Sequence, residues 1–135
     1  MKDNFTVLIV EDEENYSERL KECLRICYGD RVTSIFVARS IEEALDVFVE
    51  KRDLIDLVLM DGNLDSTHRR LRLETRSLIK AMLVMKAGLK IIAVSASNEF
   101  RSDMLKVGCT AGVPKGDLCM MSGFEVIDAV LARIG

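Results

Sequence analysis

Two short apolar runs in this chain end abruptly in acidic residues. Residues 7–10 (Val-Leu-Ile-Val) are followed by Glu11 and Asp12. Residues 57–60 (Leu-Val-Leu-Met) are followed by Asp61. A short continuous run rich in β-branched residues is typical of a strand buried on both faces, as in a parallel sheet. Because the carboxyl ends of parallel strands lie along one edge of the sheet, we expect the three acids to converge there.

The rest of the chain alternates between strand-like and helix-like patterns. Three further strands are predicted, over residues 32–38, 90–95 and 111–114. Apolar residues at helical spacing predict a helix after each strand, and glycines at 29, 88 and 108 mark the ends of three of these helices. Five βα units in succession predict an α/β fold, a doubly wound five-stranded parallel sheet with helices on both faces.

Local patterns predict where individual helices begin. Ser40 with Glu43, and Ser122 with Glu125, match the capping box, in which a serine and a glutamate three residues later satisfy free backbone amides. These boxes predict the starts of the second and the last helix. The polar stretch over residues 62–73 predicts a loop before the third helix.

Composition limits the functions open to this chain. Its 135 residues suit one domain, and an apolar content of 49% excludes intrinsic disorder. A net charge of −3 gives no footprint for nucleic acid. No apolar stretch is long enough for a membrane span, and the start of the chain lacks a signal-peptide core, so we expect a cytoplasmic protein. The four cysteines lack Cys-x-x-Cys spacing and are interpreted as small apolar residues, with metal or disulfide roles as the alternative.

Other predicted strand ends add residues with a complementary chemistry. Ser95 ends the fourth strand and Lys115 follows the fifth. Clustered carboxylates suit Mg²⁺, which prefers oxygen ligands. A carboxylate beside such a cation can attack a phosphoryl group, and an ammonium and a hydroxyl would stabilise the charge that develops. The set predicts phosphoryl transfer to an aspartate.

Four segments carry a resemblance to the receiver domain of two-component response regulators. They are Val-Glu-Asp-Glu at 10–13, Asp-Leu-Val-Leu-Met-Asp at 56–61, Val-Ser-Ala at 94–96 and Pro-Lys at 114–115. The resemblance covers essentially the whole chain. It implies the flavodoxin-like (βα)5 receiver fold, with residues 1–135 forming a single receiver domain and no output domain in this chain.

The resemblance also implies roles for the acids. Asp61 would be the phosphoacceptor, and Glu11 and Asp12 would be the acid pair that holds Mg²⁺ (or Mn²⁺). Asp61 would bind the same ion, and Asn63 would bind it through its backbone carbonyl.

The remaining implied roles concern the switch and its partners. Ser95 would be the hydroxyl that turns toward the phosphoryl group, and Lys115 the cationic clamp. A sensor histidine kinase or phosphotransfer protein would be the donor, and the signal would leave through an unidentified downstream protein or a homodimer. Such a domain is a signalling phosphoacceptor rather than an enzyme, and no contact with nucleic acid or membrane is expected.

The chain departs from the receiver pattern at several positions. Asp65 stands where proline is usual, and Gly116 replaces the proline that usually follows the lysine. Gly112 stands where a tyrosine or phenylalanine commonly swings inward on phosphorylation. About four extra residues fall within residues 65–76. These departures favour an alternative, a pseudo-receiver that acts as an interaction module independent of phosphorylation.

A phosphatase of the haloacid-dehalogenase type is the enzymatic alternative. Residues 60–64 (Met-Asp-Gly-Asn-Leu) look like part of that family's Asp-x-Asp-Gly-Thr loop. The nucleophilic aspartate of that loop would, however, fall on Leu59. The loop also normally follows the first strand rather than the third, so the receiver interpretation is preferred.

Overall fold

The computed structural model describes residues 3–62 and 69–134, and only the backbone for residues 69–73. The strands are β1 (Phe5–Val10), β2 (Val32–Ala38), β3 (Leu57–Asp61), β4 (Lys90–Val94) and β5 (Ala111–Val113). The helices are α1 (Glu14–Tyr28), α2 (Ile41–Lys51), α3 (Arg69–Met85), α4 (Asn98–Val107) and α5 (Met121–Leu131). Among the described helices, none has both the length and the apolar character needed to cross a membrane.

The five strands form one parallel sheet in the order β2-β1-β3-β4-β5, which confirms the predicted fold class. The chain moves outward from β1 to β2, and then crosses to the other side of β1 to form β3. This reversal leaves a crevice beyond the carboxyl ends of β1 and β3, where sheets of this kind bind ligands. Glu11 and Asp61 stand at those two ends.

Apolar residues of the central strands supply two separate cores, one on each face of the sheet. Leu8 and Val10 pack with residues of α2, α3 and α4, whereas Val7 and Ile9 pack with residues of α1 and α5. All four side chains are at most 1% exposed. Burial on both faces explains why the run over residues 7–10 is continuously apolar rather than alternating.

The serine half of the first capping box is confirmed, whereas the side chain of Glu43 accepts a hydrogen bond from the backbone N–H of Arg39 at 3.4 Å. Ser40 Oγ accepts a hydrogen bond from the backbone N–H of Glu43 at 3.1 Å.

The second capping box is wrong. Helix α5 begins at Met121, so Ser122 lies inside it. The backbone N–H of Phe124 donates a hydrogen bond to the backbone oxygen of Met120 at 3.1 Å, which starts the helix two residues before the serine predicts. Met120 stands at the N-cap and makes no side-chain capping bond, so this start has no capping signal in the sequence.

Helix α3 also begins earlier than the sequence predicts. Its backbone is helical from Arg69, inside the stretch of residues 62–73 that was predicted to be a loop. Residues 69–73 are all arginine or leucine, and both residue types favour helix formation although the segment is rich in charge. Asn63 and Asp65 lie outside the described residues.

Candidate functional site

Three carboxylates converge at the carboxyl ends of β1 and β3. Glu11 and Asp12 follow β1 directly, and Asp61 is the last residue of the neighbouring strand β3. One carboxylate oxygen from each lies within 4.8 Å of the others. Glu11 is 1% exposed and Asp61 2%, whereas Asp12 is exposed. The cluster is therefore open to solvent on the side of Asp12.

Lys115 brings a positive charge to the two buried carboxylates. Its Nζ lies 3.2 Å and 3.1 Å from the two carboxylate oxygens of Glu11 and 3.4 Å from Asp61 Oδ2. With all groups ionised, three carboxylates and one ammonium give a local charge of −3 + 1 = −2. A divalent cation would balance that charge.

Burial and interactions between charges shift the pKa values of Glu11 and Lys115. Burial, and secondarily the charge of Asp61, raises the pKa of Glu11 from 4.5 to about 7. For Lys115 burial is the largest single effect and lowers the pKa, but the combined attraction of Asp61 and Glu11 leaves it above its ordinary value. Lys115 is therefore held as a cation, and Glu11 is more easily protonated than an ordinary glutamate when no other cation is near.

The donor set fits a hard divalent cation. Glu11 Oε1 accepts a hydrogen bond from the backbone N–H of Glu13 at 3.1 Å. Its Oε2 is buried and, among the described residues, accepts no hydrogen bond of good geometry, although Lys115 Nζ is near. A buried oxygen in this state, beside the accessible carboxylate of Asp12, suits Mg²⁺ or Mn²⁺, which take oxygen ligands. Asn63 is not among the described residues.

Ser95 lies at the neighbouring strand end. It directly follows Val94, the residue that pairs with Asp61 across the sheet, and its side chain is fully buried. Its Oγ accepts a hydrogen bond from the backbone N–H of Ser97 at 3.0 Å. The hydroxyl is therefore held by its own loop in this state of the protein.

Arginine covers the position where the receiver pattern usually has an aromatic residue. A Cβ built on Gly112 would lie 3.2 Å from the Cβ of Arg101, so the stem of that α4 side chain lies over β5. The guanidinium of Arg101 donates hydrogen bonds to the backbone oxygen of Ser95 and to the side chain of Asn98. The sequence pattern does not predict this contact, because Arg101 looks like any other polar residue on a helix.

Tyr16 is a second residue whose contacts the sequence did not reveal. Its helical spacing placed it in the apolar stripe of α1 and gave no sign of a polar contact. In the structure its hydroxyl donates a hydrogen bond to the backbone oxygen of Lys115 at 3.0 Å. The ring centroid lies 4.6 Å from Lys115 Nζ. A tyrosine one turn after an acid pair is the only sequence signal that could have suggested this.

No family model matches the chain, and no curated protein matches it in sequence. Solved structures match over nearly its whole length. A CheY-like receiver domain protein from Methanospirillum hungatei is 19% identical, with 96% of each chain covered and a TM-score of 0.73. A response regulator receiver domain protein from Clostridium thermocellum is 17% identical, with 96% of each chain covered and a TM-score of 0.74.

A third similar structure carries a ligand and a partner. It is a complex of CheX, CheY, BeF3 and magnesium from Borrelia burgdorferi. The match is 19% identical, covers 95% of this chain and 87% of that one, and has a TM-score of 0.69. Receiver domains are signalling modules rather than classical enzymes. Together with the parallel sheet and the acid cluster, these likenesses show that the chain has the fold of a CheY-like response regulator receiver domain.

Proposed function

We propose that this chain is a phosphorylation-switched receiver domain that accepts a phosphoryl group on Asp61. The observation that carries the proposal is the convergence of three carboxylates and one lysine at the crevice between β1 and β3. Two buried carboxylates this close together are costly to maintain without a function or a bound cation.

The proposed transfer forms one bond, between a carboxylate oxygen of Asp61 and phosphorus, and breaks one bond in the donor. A carboxylate oxygen of Asp61 attacks the phosphorus of a phosphohistidine on a sensor histidine kinase or phosphotransfer protein. The phosphorus–nitrogen bond breaks, and its electron pair stays on the imidazole of the donor, which is protonated by solvent. The product is an acyl phosphate, which later loses its phosphoryl group to water.

Glu11, Asp12 and Asp61, with the backbone carbonyl of Asn63, would hold Mg²⁺ or Mn²⁺. When bound, the ion supplies positive charge that offsets the repulsion between the carboxylate and the phosphoryl oxygens. Glu11 and Asp12 act by fixing the position of that charge. Because Asp12 is exposed, solvent and the ion would reach the cluster from its side.

Lys115 and Ser95 would stabilise the transferred group. Lys115 Nζ, 3.4 Å from Asp61 Oδ2, is placed to donate a hydrogen bond to a phosphoryl oxygen on that carboxylate. The Ser95 hydroxyl would exchange its bond with the N–H of Ser97 for one with the phosphoryl group. That exchange rearranges the loop before α4, which gives partners two states to distinguish.

The signal would leave by protein contact, in the cytoplasm, toward an unidentified downstream protein or a second copy of the chain. This part of the proposal rests on the receiver fold that the chain shares with solved receiver domains.

The test is phosphorylation by a small-molecule phosphodonor in the presence of Mg²⁺, followed by intact mass measurement. We expect wild type to gain the mass of one phosphoryl group and Asp61→Asn to gain none. Asp53→Asn, an exposed aspartate near the amino end of β3, is the matched control and should behave as wild type. No gain with any donor would refute the switch and favour the pseudo-receiver.

A further inference from the structure

We infer that Tyr16 is a positioning residue for Lys115, and that it holds both the backbone and the ammonium group of that lysine. The inference deepens the proposed function and rests on it for the reaction, but its geometry stands independently. The hydroxyl of Tyr16 bonds the backbone oxygen of Lys115, and its ring lies beside the ammonium of the same residue.

The backbone contact joins the segment around Lys115 to α1. Lys115 opens a short 3-10 turn, Lys115–Asp117, between β5 and α5. Gly116 gives that turn no side chain, and a Cβ added there would meet nothing within 4 Å. The bond from Tyr16, at 3.0 Å, ties the turn to α1 across 99 residues of sequence. It therefore substitutes for the rigidity that a proline at this position would supply.

The ring contact acts on the charged end of the lysine. Lys115 Nζ lies 4.6 Å from the ring centroid, within the range in which an ammonium is attracted to an aromatic face. The lysine side chain is only 18% exposed, so solvent weakens the attraction less than at the surface. With the carboxylates of Glu11 and Asp61 on the other side, the ammonium has a restricted set of positions.

The hydroxyl remains a donor over the whole working pH range. Burial is the main cause that raises the pKa of Tyr16 above its ordinary value. Tyr16 is thus expected to be neutral at neutral pH. If Tyr16 were only a core residue, its ring would pack but its hydroxyl would have no effect on Lys115. Removing only the hydroxyl therefore distinguishes a packing role from a positioning role.

Two substitutions test the contacts one at a time. Tyr16→Phe keeps the ring and loses the hydroxyl, and we expect phosphorylation by the small donor to slow about threefold. Tyr16→Leu loses both contacts, and we expect slowing of about tenfold. Tyr28→Phe is the matched control, because Tyr28 is also buried and bonds Asp128 at 2.8 Å away from the site. It should leave the phosphorylation rate unchanged.

A double-mutant cycle distinguishes positioning from general stability. In a Lys115→Met background, Tyr16→Leu should slow phosphorylation no further, because the group that it positions is gone. Rates that multiply independently would overturn the inference. Unfolding by urea, measured for each variant, identifies any variant whose rate falls only because it is partly unfolded.

A spectroscopic measurement keeps this inference separate from the proposed function. The side-chain methylene protons of Lys115 should show a ring-current shift in wild type and in Tyr16→Phe, and lose it in Tyr16→Leu. If wild type accepts no phosphoryl group, the proposed function is wrong. The ring-current shift still shows whether the ring of Tyr16 contacts Lys115. Lys115 signals that do not change in Tyr16→Leu would overturn the inference.

Discussion

The carboxyl edge of the sheet has two halves that follow the receiver pattern to different degrees. The acid half consists of Glu11, Asp12 and Asp61 with Lys115, and its charges converge as the proposed phosphoryl transfer requires. The α4 half consists of Ser95, Arg101 and Gly112, where an arginine covers a glycine in place of an inward-moving aromatic ring.

The difference indicates that the two halves have different structural requirements. Phosphoryl transfer requires charges at fixed separations, so few residue types can fill the acid half. Apart from the hydroxyl of Ser95, the α4 half needs only a packed, hydrogen-bonded connection between β4, α4 and β5, which Arg101 supplies by contacts unlike those of an aromatic ring. Substitutions in the two halves should therefore separate chemistry from stability.

The largest expected effect is in the acid half. Lys115→Met should slow phosphorylation by about 100-fold, because it removes the cation placed beside the developing phosphoryl charge. The measurement is the rate of mass gain with a small phosphodonor. Lys106→Met, at an exposed lysine of α4, is the control and should leave the rate as in wild type. Equal rates in both variants would refute the role of Lys115.

A second prediction concerns the junction of the two halves. A Cβ on Gly62 would lie 2.4 Å from ring atoms of Phe100, which is 3% exposed. Gly62→Ala should therefore lower the free energy of unfolding by about 2 kcal/mol, as overpacking in a buried site does. Gly116→Ala meets open space and should stay within about 0.5 kcal/mol of wild type. Urea denaturation of both variants tests this, and similar losses would contradict it.

The raised pKa of Glu11 predicts that the binding of Mg²⁺ depends on pH. The ion requires the carboxylate, and a pKa of about 7 means that Glu11 is mostly protonated at pH 6 and mostly ionised at pH 8. Affinity for Mg²⁺ should thus fall by about tenfold from pH 8 to pH 6. Titration calorimetry at both pH values measures the change. Glu11→Gln should bind weakly at both, and an equally steep pH dependence in that variant would contradict the assignment.

The smallest expected effect is in the α4 half. Arg101→Leu keeps an aliphatic cover over Gly112 but loses the hydrogen bonds to Ser95 and Asn98. We expect a loss of about 1 kcal/mol in the free energy of unfolding, the usual value of such bonds. The initial phosphorylation rate should change by less than about twofold. A rate loss as large as that of Lys115→Met would show that the two halves are not separable.

Much of the fold could be predicted from the sequence because its signals are local. Continuous apolar runs marked the buried strands, and Ser40 marked the start of α2 through a bond three residues away. The start of α5 at Met121 could not be predicted, because Met120 at its N-cap makes no side-chain capping bond and so leaves no local signal.

The same distinction applies to the candidate site. Acids and a lysine at strand ends are visible in sequence, since a parallel sheet brings strand ends to one edge. The contacts of Tyr16 with Lys115 and of Arg101 with Ser95 join side chains to backbone oxygens of other segments. A backbone oxygen carries no sequence signature, so such contacts are known only once the chain is folded.

The most direct test of the central claim is to locate the phosphoryl group. After reaction with a small phosphodonor, borohydride would reduce an acyl phosphate on an aspartate to homoserine, which peptide mass spectrometry identifies by position. We predict homoserine at position 61 and at no other. Reduction at a different acid, or a phosphorylated protein whose Asp61 stays intact, would contradict the account.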